Sequence, residues 1–385
     1  MKTLFRVFVL IYFLTYSYAA TSREQTGAQF EIETLRSMQT IVDSFGLPSL
    51  SVAISVDEKM VFAEALGFAD IEQKKLATSK TQYSVGSVAK AMTGIALARL
   101  INVEKVSLDT QVSDHVSLPP AFRNLNIRQL ASHTAGIPHN TPERENYEFG
   151  DIKDHKSPLD VLDTFSEHSL LFTPGSSFKY SSNGYILLSA LIESASNQSY
   201  VSYLNDAIWN QFGMLDTRLD TSLAGGANEA KYYAGRTPTG KFILANTHRD
   251  RSFLFGGGGF ISTPTDLVKM SAALYRDGYL SEKTRDLMLT PVSLENGDSN
   301  PQNYALGWRI GQTPETNDDP DRSLVAHHGG VTDKAATAYL FVIPRQRAAI
   351  AFSTNTLPNE FWKIRPLVEN ILYDYLNIGV DAAGS

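Results

Sequence analysis

Residues 83–101 of the chain read YSVGSVAKAMTGIALARLI. A glycine and a serine stand near the start of this stretch, and a nearly uncharged, alanine-rich run follows them. Alanine favours helices and adds little bulk, so the run predicts a helix on which other elements can pack from every side. We therefore place this helix at the centre of the fold. Ser87 would lie at its N-terminus, where unpaired backbone N–H groups and the positive end of the helix dipole collect.

Ser87 and Lys90 could form a nucleophile and its base. Residues three apart on a helix share one face, with β-carbons about 5–6 Å apart. A hydroxyl and an amine at that distance suit covalent catalysis. The simpler interpretation is that Ser87 caps the helix and Lys90 is an exposed charge. The same spacing recurs at Ser176 and Lys179, so spacing alone does not decide between the two.

The N-terminus has the pattern of a secretory signal peptide. Lys2 and Arg6 make a basic start, Val7–Leu14 is apolar, and Ser17–Ala19 has the small residues of a cleavage site. We expect cleavage after about residue 19, which implies a secreted or periplasmic protein with no membrane span once the leader is removed.

Charge and cysteine content exclude several classes of function. The chain of 385 residues has 34 basic and 41 acidic side chains, and loss of residues 1–19 leaves a net charge of −9. This acidity argues against nucleic acid and acidic membrane surfaces as partners. The chain has no cysteine, which excludes disulfides, cysteine nucleophiles and thiolate metal sites.

Strand patterns lie at both ends of the chain, and helices and loops lie between them. An amphipathic helix over residues 30–45 precedes a β-hairpin of Leu50–Val56 and Met60–Leu66. Later strands are predicted at Tyr304–Ile310, Ala336–Ile343 and Ala348–Thr354, before a helix over residues 360–377. The sequence therefore predicts an α/β (α+β) fold: an antiparallel sheet, flanked by helices, built from both termini around an inserted, mainly helical unit.

The boundaries predicted for these parts follow from the same patterns. Residues 20–28 are polar and are expected to be flexible, and residues 29–378 form one domain. Its α/β part comprises about 29–110 and 290–378, and the helical insert about 111–289.

Three local clusters could meet in one cleft. The first is Ser87 with Lys90, the second is the segment Tyr180–Asn183, and the third is His327–Gly330, just before a predicted strand. Each has a purely structural interpretation, such as a buried tyrosine, a structural histidine or a glycine turn. Other chemistries fit less well, because the chain has no G-x-S-x-G and no H-E-x-x-H motif.

Five ordered segments resemble the serine β-lactamase-like superfamily of class C β-lactamases, DD-peptidases and related esterases, and most of all the LACTB-type serine hydrolases. Together they span residues from about 30 to 375. The segments are Tyr83–Lys90, Leu130–Ile137, Tyr180–Tyr185, Gly257–Thr263 and His327–Gly330. The pair Ser176 and Lys179 falls outside this pattern. The resemblance implies a β-lactamase/transpeptidase-like fold.

The resemblance also implies catalytic roles. Ser87 would be the acylated nucleophile, and Lys90 and Tyr180 would share the proton taken from it. Lysine and tyrosine both titrate near pH 10 when free, and proximity and exclusion of water can lower these pKa values. Which of the two acts as the base is left open.

The resemblance implies a substrate-binding strand as well. His327-x-Gly329 matches the motif that is K-T-G in lactamases and H-x-G in many esterase-like members. A histidine is a weaker fixed cation than lysine, which puts tight binding of a β-lactam carboxylate in doubt. The backbone N–H groups of Ser87 and Gly330 would form the oxyanion hole.

The middle motif has two possible alignments. The superfamily has asparagine two residues after the tyrosine, whereas this chain has Ser182 there and Asn183 one place later. We favour the alignment on Tyr180, with Ser182 among the substrate-binding residues. The alternative is an S-x-N motif, in which Ser181 and Asn183 would be the functional pair.

We therefore expect an exported serine hydrolase that cleaves an ester, an amide or a small peptide through an acyl-enzyme on Ser87. It would need no metal or other cofactor, and its partner would be a small-molecule or peptide substrate. A peptidoglycan DD-peptidase or a β-lactamase is the alternative within this class. A non-catalytic penicillin-recognising-type domain that binds or assembles is the alternative from another class. The sequence leaves the oligomeric state open.

Overall fold

The structure is a computed structural model that describes residues 27–143, 155–221, 226–245, 250–314, 323–332 and 336–377. The predicted signal peptide and most of the predicted flexible segment lie outside the described residues. In the described part of the chain, no helix has both the length and the apolarity to cross a membrane.

Twelve strands form three sheets in this part of the chain. They are β1 Ser49–Val56, β2 Lys59–Asp70, β3 Lys75–Leu76, β4 Tyr83–Ser84, β5 Arg218–Leu219, β6 Tyr233–Arg236, β7 Phe242–Leu244, β8 Phe260–Ser262, β9 Arg309–Gln312, β10 Leu324–Thr332, β11 Ala336–Ile343 and β12 Ala348–Thr354. The main sheet has seven strands in the order β3-β2-β1-β12-β11-β10-β9, all antiparallel. A three-stranded sheet, β4-β8-β5, and a hairpin, β6-β7, complete the set.

Ten α-helices accompany these strands in the described residues. They are α1 27–45, α2 Ala89–Asn102, α3 Ile127–Ala131, α4 Asp163–Ser166, α5 Ser182–Ser196, α6 Tyr200–Leu204, α7 Asn210–Phe212, α8 Pro264–Met270, α9 Glu282–Leu289 and α10 Ile364–Leu376. A π-turn at Asn205–Trp209 joins α6 to α7, and a 3-10 turn at Gly86–Val88 leads into α2.

The main sheet separates two hydrophobic cores because neighbouring strand residues point to opposite faces. On one face Val52 and Ile54 pack with side chains of α1 and α10. On the other face Ala53 packs with the large core around α2 and α5. Helix α2 is buried on every side, as its alanine-rich sequence predicts.

The structure confirms the predicted fold class. The seven strands of the main sheet come from residues 49–76 and 309–354, and most helices lie between them in the chain. The first hairpin turns at Asp57 and Glu58, which both have positive φ angles of the kind that tight hairpin turns require. The domain boundaries at about residues 110 and 290 stay predictions.

Two strand predictions near the C-terminus are wrong. Tyr304–Ile310 was predicted as a strand, but strand β9 covers only Arg309–Gln312. The His327–Gly330 segment was predicted to precede a strand, whereas it lies inside β10. The two glycines hide the strand, since glycine has a low strand propensity. This error matters for the site, because position within a strand decides which face a side chain occupies.

Candidate active site

Ser87 lies at the entrance to the central helix. Between residues 83 and 98 it is the one side chain that is not buried. It stands in the middle of the 3-10 turn Gly86–Val88, directly before α2. Gly86 has a φ of 48°, which favours glycine and lets the chain turn sharply before the serine.

Lys90 lies beneath Ser87 and is fully buried. Its Nζ donates hydrogen bonds to Ser87 Oγ at 3.2 Å, to Ser182 Oγ at 2.9 Å and to the Gly257 carbonyl at 2.5 Å. The same Nζ is 4.9 Å from the centre of the Tyr180 ring. The simpler interpretation of Lys90 as an exposed charge is therefore wrong, and the structure brings three predicted site residues together around one amine.

The Tyr180–Asn183 segment presents its two serines differently. Ser182 Oγ accepts from Lys90, whereas Ser181 Oγ donates to the Pro138 carbonyl and accepts from the Gly184 N–H as the N-cap of α5. The Asn183 amide also donates to the Pro138 carbonyl and is fully buried. This geometry favours the alignment on Tyr180, with Ser182 in the place of the superfamily's asparagine.

Two histidines after α3 hold this segment in position. His133 Nδ1 accepts from the Ser181 N–H at 3.2 Å, and His139 Nδ1 accepts from the Ser182 N–H at 3.0 Å. The His133 ring also lies 4.3 Å from the Tyr180 ring. Burial, followed by the charge of Lys90, lowers the pKa of His133 well below its usual value, so its ring stays neutral. The sequence motif marked His133 but not this role.

His327 lies on the face of the sheet away from the cleft, contrary to its predicted role. Its ring is 5.8 Å from Tyr339, and its Nδ1 is 3.4 Å from a guanidinium nitrogen of Arg365 on α10. Burial, then the charges of Arg365 and Arg309, lower the pKa of His327 to about 3. The structure therefore corrects the assignment by one residue, which in a strand exchanges one face for the other.

His328 occupies the cleft side of β10 instead. It is fully buried, and its Nε2 lies 2.9 Å from Tyr304 Oη and 3.2 Å from Arg309 Nη1. Burial and the charge of Arg309 lower the pKa of His328 well below its usual value. The neutral imidazole accepts from Arg309, so the fixed cation next to the site is the arginine. Its guanidinium carbon lies 5.4 Å from the centre of the Tyr180 ring.

The same one-residue shift applies to the oxyanion hole. A β-carbon on Gly330 would lie 1.9 Å from the Val85 carbonyl, so β10 passes directly under the turn that carries Ser87. The main-chain N and O of Val331 lie 3.0 and 2.8 Å from the position of a β-carbon on Gly86. Because the N–H and C=O of a strand residue point to one side, the Val331 N–H faces the Ser87 turn. Gly330 N–H points to β11, and Gly329 lies on the far face, so neither glycine has its predicted role.

A cavity of about 240 Å³ lies in front of Ser87. Tyr180 and Ser182, two of the predicted site residues, contribute to its wall together with Val331. Four further polar side chains, none of which belongs to a predicted motif, line the same cavity: Asn140, Asp250, Arg251 and Thr332. Among the described residues, no three histidine, aspartate or glutamate side chains are close enough together to hold a metal ion.

A second, more open cavity lies beyond Tyr180. Its wall includes Leu171, Phe178 and Gln302, and it shares Tyr180 and His139 with the cavity in front of Ser87. The two cavities are therefore neighbours, and Tyr180 lies in the wall of both.

The family model described as Beta-lactamase matches residues 36–371. The chain belongs to the beta-lactamase family. This result confirms the superfamily to which the five sequence segments pointed. The match includes Ser87, Lys90, Tyr180 and the whole of β10.

Curated relatives of this beta-lactamase family member include both mitochondrial and bacterial proteins. Human serine beta-lactamase-like protein LACTB, mitochondrial, is 27% identical over 437 residues, which cover 91% of this chain and 78% of the relative. Penicillin-binding protein 4* of Bacillus subtilis (strain 168) is 24% identical over 328 residues, which cover 82% of this chain and 70% of the relative. With the family match, these relatives show a serine hydrolase of the beta-lactamase-related type.

Solved structures show the same fold at lower identity. EstCE1, a hydrolase with promiscuous acyltransferase activity, has a TM-score of 0.72 at 21% identity and covers 90% of this chain and 99% of its own. D-amino acid amidase from Ochrobactrum anthropi SV3 has a TM-score of 0.70 at 19% identity, and the match covers 89% of this chain and 99% of the amidase chain. These two likenesses support the fold of this beta-lactamase family member and not a substrate.

Proposed function

We propose that the protein hydrolyses an ester, an amide or a small peptide through an acyl-enzyme on Ser87. The observation that carries the proposal is the 3.2 Å hydrogen bond between Lys90 Nζ and Ser87 Oγ, at the wall of a cavity that also contains Tyr180. A buried amine directly beneath a half-exposed hydroxyl suits the activation of a nucleophile.

In the proposed reaction, Ser87 Oγ attacks the substrate carbonyl and its proton passes to the Lys90–Tyr180 pair. The backbone N–H groups of Ser87 and Val331 stabilise the negative charge on the tetrahedral intermediate. The same pair then protonates the leaving group, and the C–O or C–N bond breaks to leave the acyl-enzyme. A water molecule, deprotonated in the same way, attacks the ester and releases the acid and Ser87.

The geometry favours a shared role for Lys90 and Tyr180 in moving the proton. Lys90 Nζ directly contacts Ser87 Oγ, and the Tyr180 ring lies beside that amine. Ser182 keeps Lys90 in place from the opposite side. We propose that Lys90 acts as the neutral amine, which donates to Ser182 and the Gly257 carbonyl and takes the proton of Ser87. Tyr180, which lines both cavities, then gives its own proton to the leaving group and regains one from Lys90.

A DD-peptidase or β-lactamase activity is the second candidate, and Arg309 favours it. Substrates of both kinds of enzyme have a carboxylate near the scissile amide. His328 is neutral, but the guanidinium of Arg309 stands beside the Tyr180 ring and supplies a positive charge. Hydrolysis of a chromogenic β-lactam or of a D-amino-acid peptide, and its loss in Arg309→Gln, would support this candidate over a simple esterase.

We propose in addition that the protein is exported after cleavage near residue 19. The basic start and the apolar run of Val7–Leu14 support this proposal. The relatives named as mitochondrial make a mitochondrial leader the competing outcome. N-terminal sequencing of the mature protein, together with its location after cell fractionation, distinguishes the two.

A fluorophosphonate probe tests the proposed mechanism. The intact protein should gain the mass of one adduct, mapped to Ser87 and absent in Ser87→Ala. No labelling of a folded wild-type protein would support the non-catalytic alternative. An adduct on Ser176 would show that the other pair with this spacing is the reactive one.

A further inference from the structure

His133, in the turn after α3, holds the main chain on both sides of Tyr180. Its carbonyl oxygen accepts from the Lys179 N–H at 3.0 Å, and its Nδ1 accepts from the Ser181 N–H at 3.2 Å. The proposed reaction uses Tyr180 to move a proton but gives His133 no part. A single residue therefore fixes the N–H groups of both neighbours of the proposed acid.

The imidazole ring of His133 also packs against Tyr180 itself. The two ring centres are 4.3 Å apart, and the rings of Tyr304 and Tyr185 lie 4.4 and 5.0 Å from the histidine ring. Only 2% of His133 is exposed. A side chain in such close contact with large rings has little freedom to move, so it can serve as a rigid support.

The backbone of His133 has an unusual conformation. Its φ angle is 64°, in the left-handed region that residues other than glycine rarely adopt. Such strain persists only where the surroundings impose it, and it concentrates at functional sites. In this turn the carbonyl and the ring of one residue both contact the segment that contains Tyr180.

The hydrogen bond from Ser181 determines which ring nitrogen of His133 has the proton. A backbone N–H can only donate, so Nδ1 must be unprotonated and the neutral ring has its proton on Nε2. Burial, followed by the charges of Lys90 and Arg309, lowers the pKa of His133 well below its usual value. Nδ1 therefore stays an acceptor at neutral pH.

The other ring nitrogen shows that packing alone does not explain this histidine. Nε2 is buried and has no hydrogen-bond partner among the residues that the structure describes. A buried N–H without a partner costs stability, so a residue that only filled this space would favour an apolar side chain. The acceptor at Nδ1 is what a histidine adds here.

We propose that His133 is a positioning residue that holds the Tyr180 hydroxyl in place for proton transfer to the leaving group. It acts through its two hydrogen bonds to the neighbours of Tyr180 and lies behind that ring, outside the lining of both cavities. The inference rests on the proposed function, because it concerns the proton that Tyr180 delivers.

Two acetate esters distinguish this role from a purely structural one. 4-Nitrophenyl acetate and phenyl acetate form the same acyl-enzyme, but phenolate is the more basic leaving group and gains more from a proton. The measured quantity is the ratio of kcat/KM for 4-nitrophenyl acetate to kcat/KM for phenyl acetate, which reports the steps up to release of the leaving group. A misplaced acid raises this ratio, whereas a smaller amount of folded protein leaves it unchanged.

Three variants separate the hydrogen bond from the packing. His133→Phe keeps a ring but removes the acceptor for Ser181, so the ratio should rise about tenfold, as for a small displacement of a catalytic group. His133→Asn should keep most of the wild-type ratio, because its side-chain oxygen can replace Nδ1 and asparagine tolerates the left-handed conformation. Thr134→Ala is the matched control: it removes a buried hydroxyl that bonds to Ser132, so it should lower Tm without changing the ratio.

Tyr180→Phe provides the reference, and its combination with His133→Phe shows whether the two residues act together. The ratio in the double variant should equal that in Tyr180→Phe, since His133 cannot position an acid that is absent. An unchanged ratio in His133→Phe, a further rise in the double variant, or a larger rise in His133→Asn than in His133→Phe would overturn the inference. None of these three results would affect the proposed function.

Failure of the proposed function has a different signature. An unchanged ratio in Tyr180→Phe would remove the proton transfer itself, and hydrolysis of neither ester by wild type would remove the reaction, so the inference would fail in both cases. If His133→Phe does not fold, NMR of the wild-type protein with ¹⁵N-labelled histidine tests the same contact. The proton of His133 should be on Nε2, and a proton on Nδ1 would exclude the bond from Ser181 and overturn the inference.

Discussion

The adjacent serines at the start of α5, Ser181 and Ser182, should have separable roles, and substitution of each by alanine tests the geometry around Lys90. Ser182 Oγ accepts from Lys90 Nζ at 2.9 Å, whereas Ser181 Oγ caps α5 through the Gly184 N–H at 3.2 Å. Both side chains are buried, and each loses one oxygen on substitution by alanine. We expect Ser182→Ala to reduce the rate of acylation and Ser181→Ala to reduce stability.

The size of each effect follows from the bond that is lost. Leaving the buried amine of Lys90 without one of its partners costs about 1–3 kcal/mol, so Ser182→Ala should slow acylation of Ser87 about 10- to 100-fold. An N-cap contributes about 1 kcal/mol, which in a domain of this size lowers Tm by about 2 °C. Ser181→Ala should therefore acylate at close to the wild-type rate.

Single-turnover acylation by a fluorophosphonate and thermal melting measure the two effects on the same samples. A Ser182→Ala protein that acylates at the wild-type rate would refute the role of Ser182 as a support for Lys90. A large loss of rate in Ser181→Ala, with an unchanged Tm, would instead favour the S-x-N alignment of Ser181 and Asn183.

Three further predictions concern the strand and the base. Gly330→Ala should abolish acylation, because the new β-carbon would lie 1.9 Å from the Val85 carbonyl. Gly329→Ala should stay active, because the atom nearest to its new β-carbon is 3.8 Å away. Equal activities of the two variants would contradict the register of β10. Tyr180→Phe should slow acylation of Ser87, or hydrolysis of the acyl-enzyme, by a factor of about 10²–10⁴. Ester hydrolysis kinetics measure this effect, and an unchanged rate would exclude Tyr180 from proton transfer. The free energy of unfolding should fall as pH drops from about 6.5 towards 3, because the unfolded chain then binds a proton that partly buried His327, with its pKa of about 3, does not bind in the folded protein. Urea unfolding at several pH values gives the free energy of unfolding as a function of pH. This dependence should be less steep in His327→Gln than in wild type, by up to about 1.4 kcal/mol per pH unit, and the same steepness in both proteins would count against this account.

The cavity in front of Ser87 shows why tertiary contacts matter for specificity. Thr332 follows the strand motif by two residues, and Asn140 and Arg251 are distant from each other and from Ser87 in the sequence. Only the folded chain brings all three to the wall of this cavity. No local pattern marks such residues, since each is an ordinary polar residue in its own segment.

The sequence by itself indicated the family and the fold class, and it predicted that Ser87 and Lys90 lie together. These conclusions rest on local properties that a chain displays directly. They are an alanine-rich run buried on all sides, the i, i+3 spacing of Ser87 and Lys90, alternating apolar residues in β1, and the nearly continuous apolar runs of β11 and β12. The cap of α8 is another example, because Thr263, Pro264 and Asp266 are recognisable as a helix start in sequence and form one in the structure.

Only the tertiary structure decided which face of β10 meets the cleft. Two histidines followed by two glycines match the motif in either of two registers, and the side chains of adjacent strand residues point in opposite directions. The close passage of Gly330 under Val85 selects one register, which places His328 and the Val331 N–H at the cleft and sends His327 to α10. The contact that makes this choice joins residues 245 positions apart, and the hydrogen bonds that identify Ser182 as the partner of Lys90 are equally remote in sequence.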